Sequence, residues 1–120
     1  MSADPQGRDL LALAVEIAAE AAVVVAKYAA ERTYAIETKS SPTDLVTEAD
    51  RESEALIVRA ILGARPHDGL LGEEGASREG ASGIRWVIDP IDGTTDFVYG
   101  IPAYSVSIGV ERDGQVIAGV

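Results

Sequence analysis

The feature that most constrains this chain is a short apolar run that ends in acid. Trp86-Val87-Ile88 reads as a buried strand, and it gives way at once to Asp89-Pro90-Ile91-Asp92-Gly93-Thr94-Thr95-Asp96. Two carboxylates three residues apart leave the strand through a proline-stiffened turn. A strand end is rigid, as a metal site requires if its ligands are to keep their geometry. Hard divalent cations take oxygen ligands, and magnesium takes few carboxylates and keeps several waters. Asp89 can bridge two ions, Asp92 can complete one, and the Ile91 carbonyl faces the same turn. Gly93-Thr94-Thr95 then opens a helix, whose bare amides suit phosphate oxygens. Threonine hydroxyls suit the orientation of a water. Cations beside phosphate-binding amides are the parts of metal-assisted phosphoryl transfer.

A lone Asp-Gly is ordinarily a solvated turn. The acids here weigh more because Glu73-Glu74 also follows a short apolar stretch, Gly69-Leu70-Leu71-Gly72. No Asp-x-Asp-x-Asp-Gly loop with a distal Glu is present, which argues against a calcium loop. No glycine-rich Gly-Lys-Ser/Thr loop is present either, which argues against that kind of nucleotide hydrolysis.

The remaining pattern is of mixed α and β type. Leu10, Leu13, Ile17, Ala21, Val24, Val25 and Tyr28 recur at spacings of three and four and predict an amphipathic helix to about Glu31. Thr33 to Thr38 reads as a short strand and Lys39 to Asp44 as a polar loop. Thr47 with Asp50 resembles a capping box for a second helix, ended near Leu62 by Gly63. Its candidates for burial are Ala55, Leu56, Val58, Ile61 and Leu62. Ala76 to Gly83 reads as a polar loop, and a helical turn is expected after Asp96. Ser105 to Glu111 and Gln115 to Val120 flank Arg112-Asp113-Gly114, a hairpin signal. His67 reads as a solvated loop residue and Trp86 as core.

Twenty acids against ten bases give a formal charge of −10, which argues against nucleic-acid and anionic-membrane partners. Glu16, Glu20 and Lys27 interrupt the apolar stretch from Leu10 to Ala30, against a signal peptide or membrane span. The absence of cysteine is compatible with a reducing cytoplasm but says little about compartment; with the signal and span readings set aside, a soluble, cytoplasmic protein is expected. The final strand would present an open apolar edge, so the chain is expected to be part of a longer protein.

Three segments, in order, resemble the signatures of the inositol monophosphatase family, a group of magnesium-dependent, lithium-sensitive phosphatases. They are Lys39-Ser40-Ser41-Pro42-Thr43-Asp44-Leu45-Val46-Thr47-Glu48-Ala49-Asp50, Gly72-Glu73-Glu74-Gly75 and Trp86 through Phe97. The resemblance implies an α+β, layered αβαβα fold, of which residues 1–120 supply the N-terminal part. It implies a first magnesium site of Glu73, Asp89 and the Ile91 carbonyl, and a second of Asp89, Asp92 and an acid from a C-terminal half. Glu73 also borders a weaker third ion. Asp50 and Thr94 match the pair that orients and deprotonates the attacking water, so Asp50, Glu73 and Thr94 are the implied catalytic set. Gly93, Thr94 and Thr95 match the phosphate-binding segment, Asp92 lies near substrate hydroxyls, and Lys39 sits on a loop that helps close the site. Asp96 stands where many members carry Asn.

The implied activity is hydrolysis of a small polyol or sugar phosphate, foremost inositol-1-phosphate, by a full-length homodimer. Family members acting on histidinol phosphate, fructose-1,6-bisphosphate or 3′-phosphoadenosine nucleotides share these motifs. Little or no activity is expected from the 120 residues alone, and a catalytically silent, partner-binding chain is the contrasting expectation.

Overall fold

In the computed structural model, residues 4–37, 42–72, 77–92 and 105–120 are described, with the side chains of 31–37, 42–47, 90–92 and 105 left aside. Two helices cover one face of a mixed five-stranded sheet. Helix α1 spans Pro5–Glu37 and α2 spans Pro42–Ala64. The strands are β1 (Gly69–Gly72), β2 (Ser77–Arg78), β3 (Ile84–Asp92), β4 (Ser105–Arg112) and β5 (Gln115–Gly119), in spatial order β2-β1-β3-β4-β5. Only the β1/β3 pair is parallel; the other three pairs are antiparallel. The α+β class expected from the sequence is thus the observed one.

Helix α1 begins where its chemistry says it should. The Asp4 carboxylate accepts the Gly7 amide at 3.0 Å, a side-chain N-cap, and Pro5 occupies the first helical position, where its missing N–H costs nothing. The buried face is Leu10, Ala14, Ile17, Ala18, Ala21 and Val25. Its alanines let α2 and the sheet come close. The helix then runs through residues 33–37 of the segment expected to form a strand at 33–38, Thr38 lying outside the described residues. A helix already propagating adds a hydrogen bond for each residue it fixes, which outweighs the few tenths of a kcal/mol that β-branched residues forfeit.

Helix α2 starts five residues before Thr47, at Pro42, again a proline in a first turn. The capping box expected at Thr47 and Asp50 is therefore helix interior, and the loop expected at 39–44 is helical from Pro42. Gly63 lies inside the last turn. The inward face centres on Ile57 and Ile61, both fully buried, whereas Ala55 is exposed. Leu56, Val58 and Leu62 pack at its margins.

The core between helices and sheet is completed by Leu70, Ile84, Trp86, Ile88, Ile108 and Val110. Alternation along β3 sends Ile84, Trp86 and Ile88 inward and Arg85, Val87 and Asp89 to the other face. Strand β3 does not stop at Asp89-Pro90 but continues to Asp92, with a register shift between Asp89 and Asp92. A bulge accommodates a residue without an N–H, so Pro90 interrupts the ladder without ending it. The short β2 falls within the segment expected to be a loop. The β4–β5 hairpin turns through Asp113 (φ 50°) and Gly114 (φ 84°), the two positive φ values of a primed two-residue turn.

What fixes β1 beside β3 is a buried carboxylate. Asp68, 1% exposed, accepts hydrogen bonds from Arg65 Nε (2.8 Å) and Nη2 (3.1 Å), from Ser82 Oγ (2.6 Å) and from Trp86 Nε1 (2.9 Å). The end of α2, the loop before β3 and β3 itself therefore meet on one side chain. Next to it the chain crosses itself closely: a Cβ on Gly80 would lie 2.2 Å from the Gly69 amide nitrogen.

Candidate active site

Because β1 and β3 are parallel, their carboxyl ends point the same way. In the register Gly72 lies opposite Ile88, so β1 ends one residue short of the level of Asp89. Glu73 is next in sequence after Gly72. Asp89 sits half-buried in β3 opposite Ser107 of β4, and Asp92 sits opposite Ser105 across the register shift. The backbone of Ile91 lies within that irregular stretch, where ladder bonding is interrupted and a carbonyl can be spared for another ligand.

Asp50 belongs to the helical layer. It is 8% exposed, on the inward face of α2. Near it Val25 of α1 and Ala49 of α2 form a small apolar cluster with Tyr28, Ala29 and Val106. The Tyr28 hydroxyl hydrogen-bonds to the Glu52 carboxylate and ties α1 to α2 at this level. Asp50 is thereby held on rigid helix rather than on a loop.

Glu73, Gly93, Thr94, Thr95 and Lys39 lie outside the described residues, as do the helical turn expected after Asp96 and the side chain of Asp92. Among the described residues no group of three or more His, Cys, Asp or Glu side chains is placed to hold a metal ion. Asp50 and Asp89 are the described members of the expected site, each engaged with another group. Their donor chemistry, carboxylate oxygen throughout with a backbone carbonyl close in sequence, fits a hard cation and not a soft one. His67 is exposed and Trp86 is core, as expected.

Besides Asp68, two buried polar residues were not anticipated. Ser53 and Glu54 follow Asp50 by three and four residues and share its inward face. That spacing was the available signal, since residues so placed are neighbours on a helix.

The model of the inositol monophosphatase family matches residues 7–120. The chain belongs to the inositol monophosphatase family. An inositol-1-monophosphatase of Rhizobium meliloti is 45% identical over 80 residues, covering 66% of this chain and 30% of that protein. A histidinol-phosphatase of Chlorobaculum parvum is 43% identical over 110 residues, covering 92% of this chain and 42% of that one. Among solved structures, SuhB of Mycobacterium tuberculosis superposes with a TM-score of 0.72 at 41% identity, over 93% of this chain and 39% of that one. The extragenic suppressor protein suhB of Bartonella henselae gives a TM-score of 0.80 at 34% identity. The chain therefore spans well under half the length of these family members. No helix among the described residues is long and apolar enough to cross a membrane.

Proposed function

We propose that this chain is the N-terminal part of a magnesium-dependent phosphomonoesterase that hydrolyses a small polyol phosphate, with inositol-1-phosphate the leading substrate. The observation that carries this is the family match over residues 7–120, together with an Asp50 held on rigid helix and an Asp89 three residues before the end of the central strand.

Glu73, Asp89 and the Ile91 carbonyl would hold one magnesium ion. Asp89 and Asp92 would hold a second, with an acid from beyond residue 120. Bound magnesium supplies positive charge that offsets the charge on the phosphoryl oxygens and acidifies the attacking water. The other roles fall to this chain. The amides of Gly93, Thr94 and Thr95 donate to phosphate oxygens, so the phosphoryl charge meets fixed dipoles rather than mobile solvent. The Thr94 hydroxyl would take a proton from the attacking water as it gives its own to the Asp50 carboxylate, whose burial keeps competing solvent away. Glu73 supports that step from β1's side. Asp92 accepts from a substrate hydroxyl and selects for a polyol, and Lys39 closes the site from its loop. The working protein would be a cytoplasmic homodimer.

Histidinol phosphate is the second substrate to test, favoured by the likeness over 110 residues to the Chlorobaculum histidinol-phosphatase. The decisive experiment is phosphate release by the full-length protein from a panel of phosphate esters, with and without magnesium. Asp89→Asn should lower kcat/KM on the order of 10³-fold, since a shared ligand is worth several kcal/mol at about 1.4 kcal/mol per decade. Retained activity in that variant would reject the metal assignment.

A further inference from the structure

The turn of α2 that carries Asp50 keeps three polar side chains from solvent: Asp50 is 8% exposed, Ser53 0% and Glu54 6%. A helix advances about 100° per residue, so Ser53 lies about 60° to one side of Asp50 and Glu54 about 40° to the other. All three belong to the inward strip that continues into Ile57 and Ile61. A serine within a helix ordinarily turns its hydroxyl onto the carbonyl one turn back. Ser53 does not. Its Oγ is buried and has no hydrogen-bond partner, and among the described residues it is the one buried side-chain polar atom in that state.

A buried hydroxyl left unbonded keeps the whole cost of its desolvation. Alanine would remove that cost at nearly the same volume and with better helix propensity. A serine that gains nothing from protein atoms therefore calls for a partner that is not protein. Internal waters are held by about three hydrogen bonds to otherwise unsatisfied groups. One water here would accept from the Ser53 hydroxyl and donate one hydrogen to each of the two carboxylates, using both its donors. Each carboxylate has about four acceptor sites, so the other interactions of Asp50 and Glu54 leave capacity for this one.

We propose that Ser53, Asp50 and Glu54 enclose an internal water that fixes the Asp50 carboxylate, which makes Ser53 a positioning residue. The water site stands on the geometry of α2; the consequence for turnover rests on the reading of Asp50 as proton acceptor. The test compares the full-length protein with Ser53→Ala and Ser53→Thr, by NMR cross-relaxation between water and the residue-53 amide, by melting temperature and by kinetics. The expected result is a long-lived water signal at Ser53 that is lost in Ser53→Ala. With it should come a lower melting temperature, about tenfold lower kcat at unchanged KM, and substantial recovery in Ser53→Thr, as a loss of orientation rather than of binding requires. A Ser53→Ala variant that melts at or above the parent with unchanged kcat overturns the inference. So does a lower melting temperature with unchanged kcat, because the hydroxyl then serves packing alone. If the parent hydrolyses no phosphate ester, the phosphatase reading fails, and the water signal at Ser53 still decides whether the site exists.

Discussion

Replacing Asp68 by alanine tests whether one carboxylate holds β1 in place beside β3. Four hydrogen bonds converge on it, and their loss is not equally costly. Trp86 is fully buried, so its indole N–H would be left without a partner, at about 1–3 kcal/mol. The Ser82 hydroxyl is near the surface and can turn to water. The Arg65 side chain is 30% exposed and can do the same, so its share is small. The expected destabilisation is about 2–4 kcal/mol, which lowers the melting temperature by roughly 10 °C in a chain of this size. Asp68→Asn keeps an acceptor for the indole and should cost about half as much.

Trp86 is the single tryptophan, so its fluorescence during urea unfolding reports on the site itself. Burial alone would push the Asp68 carboxyl up. The hydrogen bonds from Arg65, Ser82 and Trp86 outweigh it and hold the group below the usual carboxylate range. A folded pKa below the unfolded value of about 3.9 adds stability that is complete above about pH 5. That stability is lost as pH falls through the folded pKa. The gap between parent and Asp68→Ala should therefore be constant from pH 5 to 8 and narrow below pH 4. A variant within about 0.5 kcal/mol of the parent, or a gap that persists undiminished to pH 3, would refute the reasoning, since ordinary surface substitutions fall within that range.

Gly80→Ala should be among the most damaging single changes, because its Cβ would meet the Gly69 amide nitrogen at 2.2 Å and the Asp68 carbonyl carbon at 2.6 Å, both backbone atoms that cannot swing aside. A cost above about 3 kcal/mol, or failure to fold, is expected in denaturant melts; a neutral result would reject the close crossing. Magnesium should raise the melting temperature of the full-length protein by relieving repulsion among the carboxylates proposed to hold it, an effect calcium-free buffers with and without magnesium would reveal. The same titration on Asp89→Asn should give a smaller rise.

The sequence made the helical layer legible where periodicity was strong, as at Leu10, Ile17, Ala21 and Val25. The hairpin was equally plain from Asp113-Gly114, a pair that tolerates two positive φ values. Local pattern misled at 33–37, where helix propagation overrode strand-like composition, and at Pro42, which read as a loop residue but opens a helix. The parallel pairing of β1 with β3 left no local trace, since it depends on contacts distant in sequence. Asp68 was equally hidden, although a tryptophan on a buried strand always raises the question of what its N–H meets. Of the expected site, Asp50 and Asp89 occupy regular elements whose bounds the sequence suggested to within a few residues. The burial of Ser53 and Glu54 followed from their spacing to Asp50 and was readable in principle.

The salt bridge between Asp4 and Arg112, at 2.8 Å, joins residues 108 apart in the chain. It has a bearing on how the protein is made. At about 5–20 residues per second, roughly 5–20 s of synthesis separate the two partners. Early in that interval α1 and α2 can pair before the strands that cover Ile17, Ile57 and Ile61 have been made. The emerging helices therefore carry an uncovered apolar face that a holding chaperone can recognise, and the clasp at Arg112 closes only when β4 arrives.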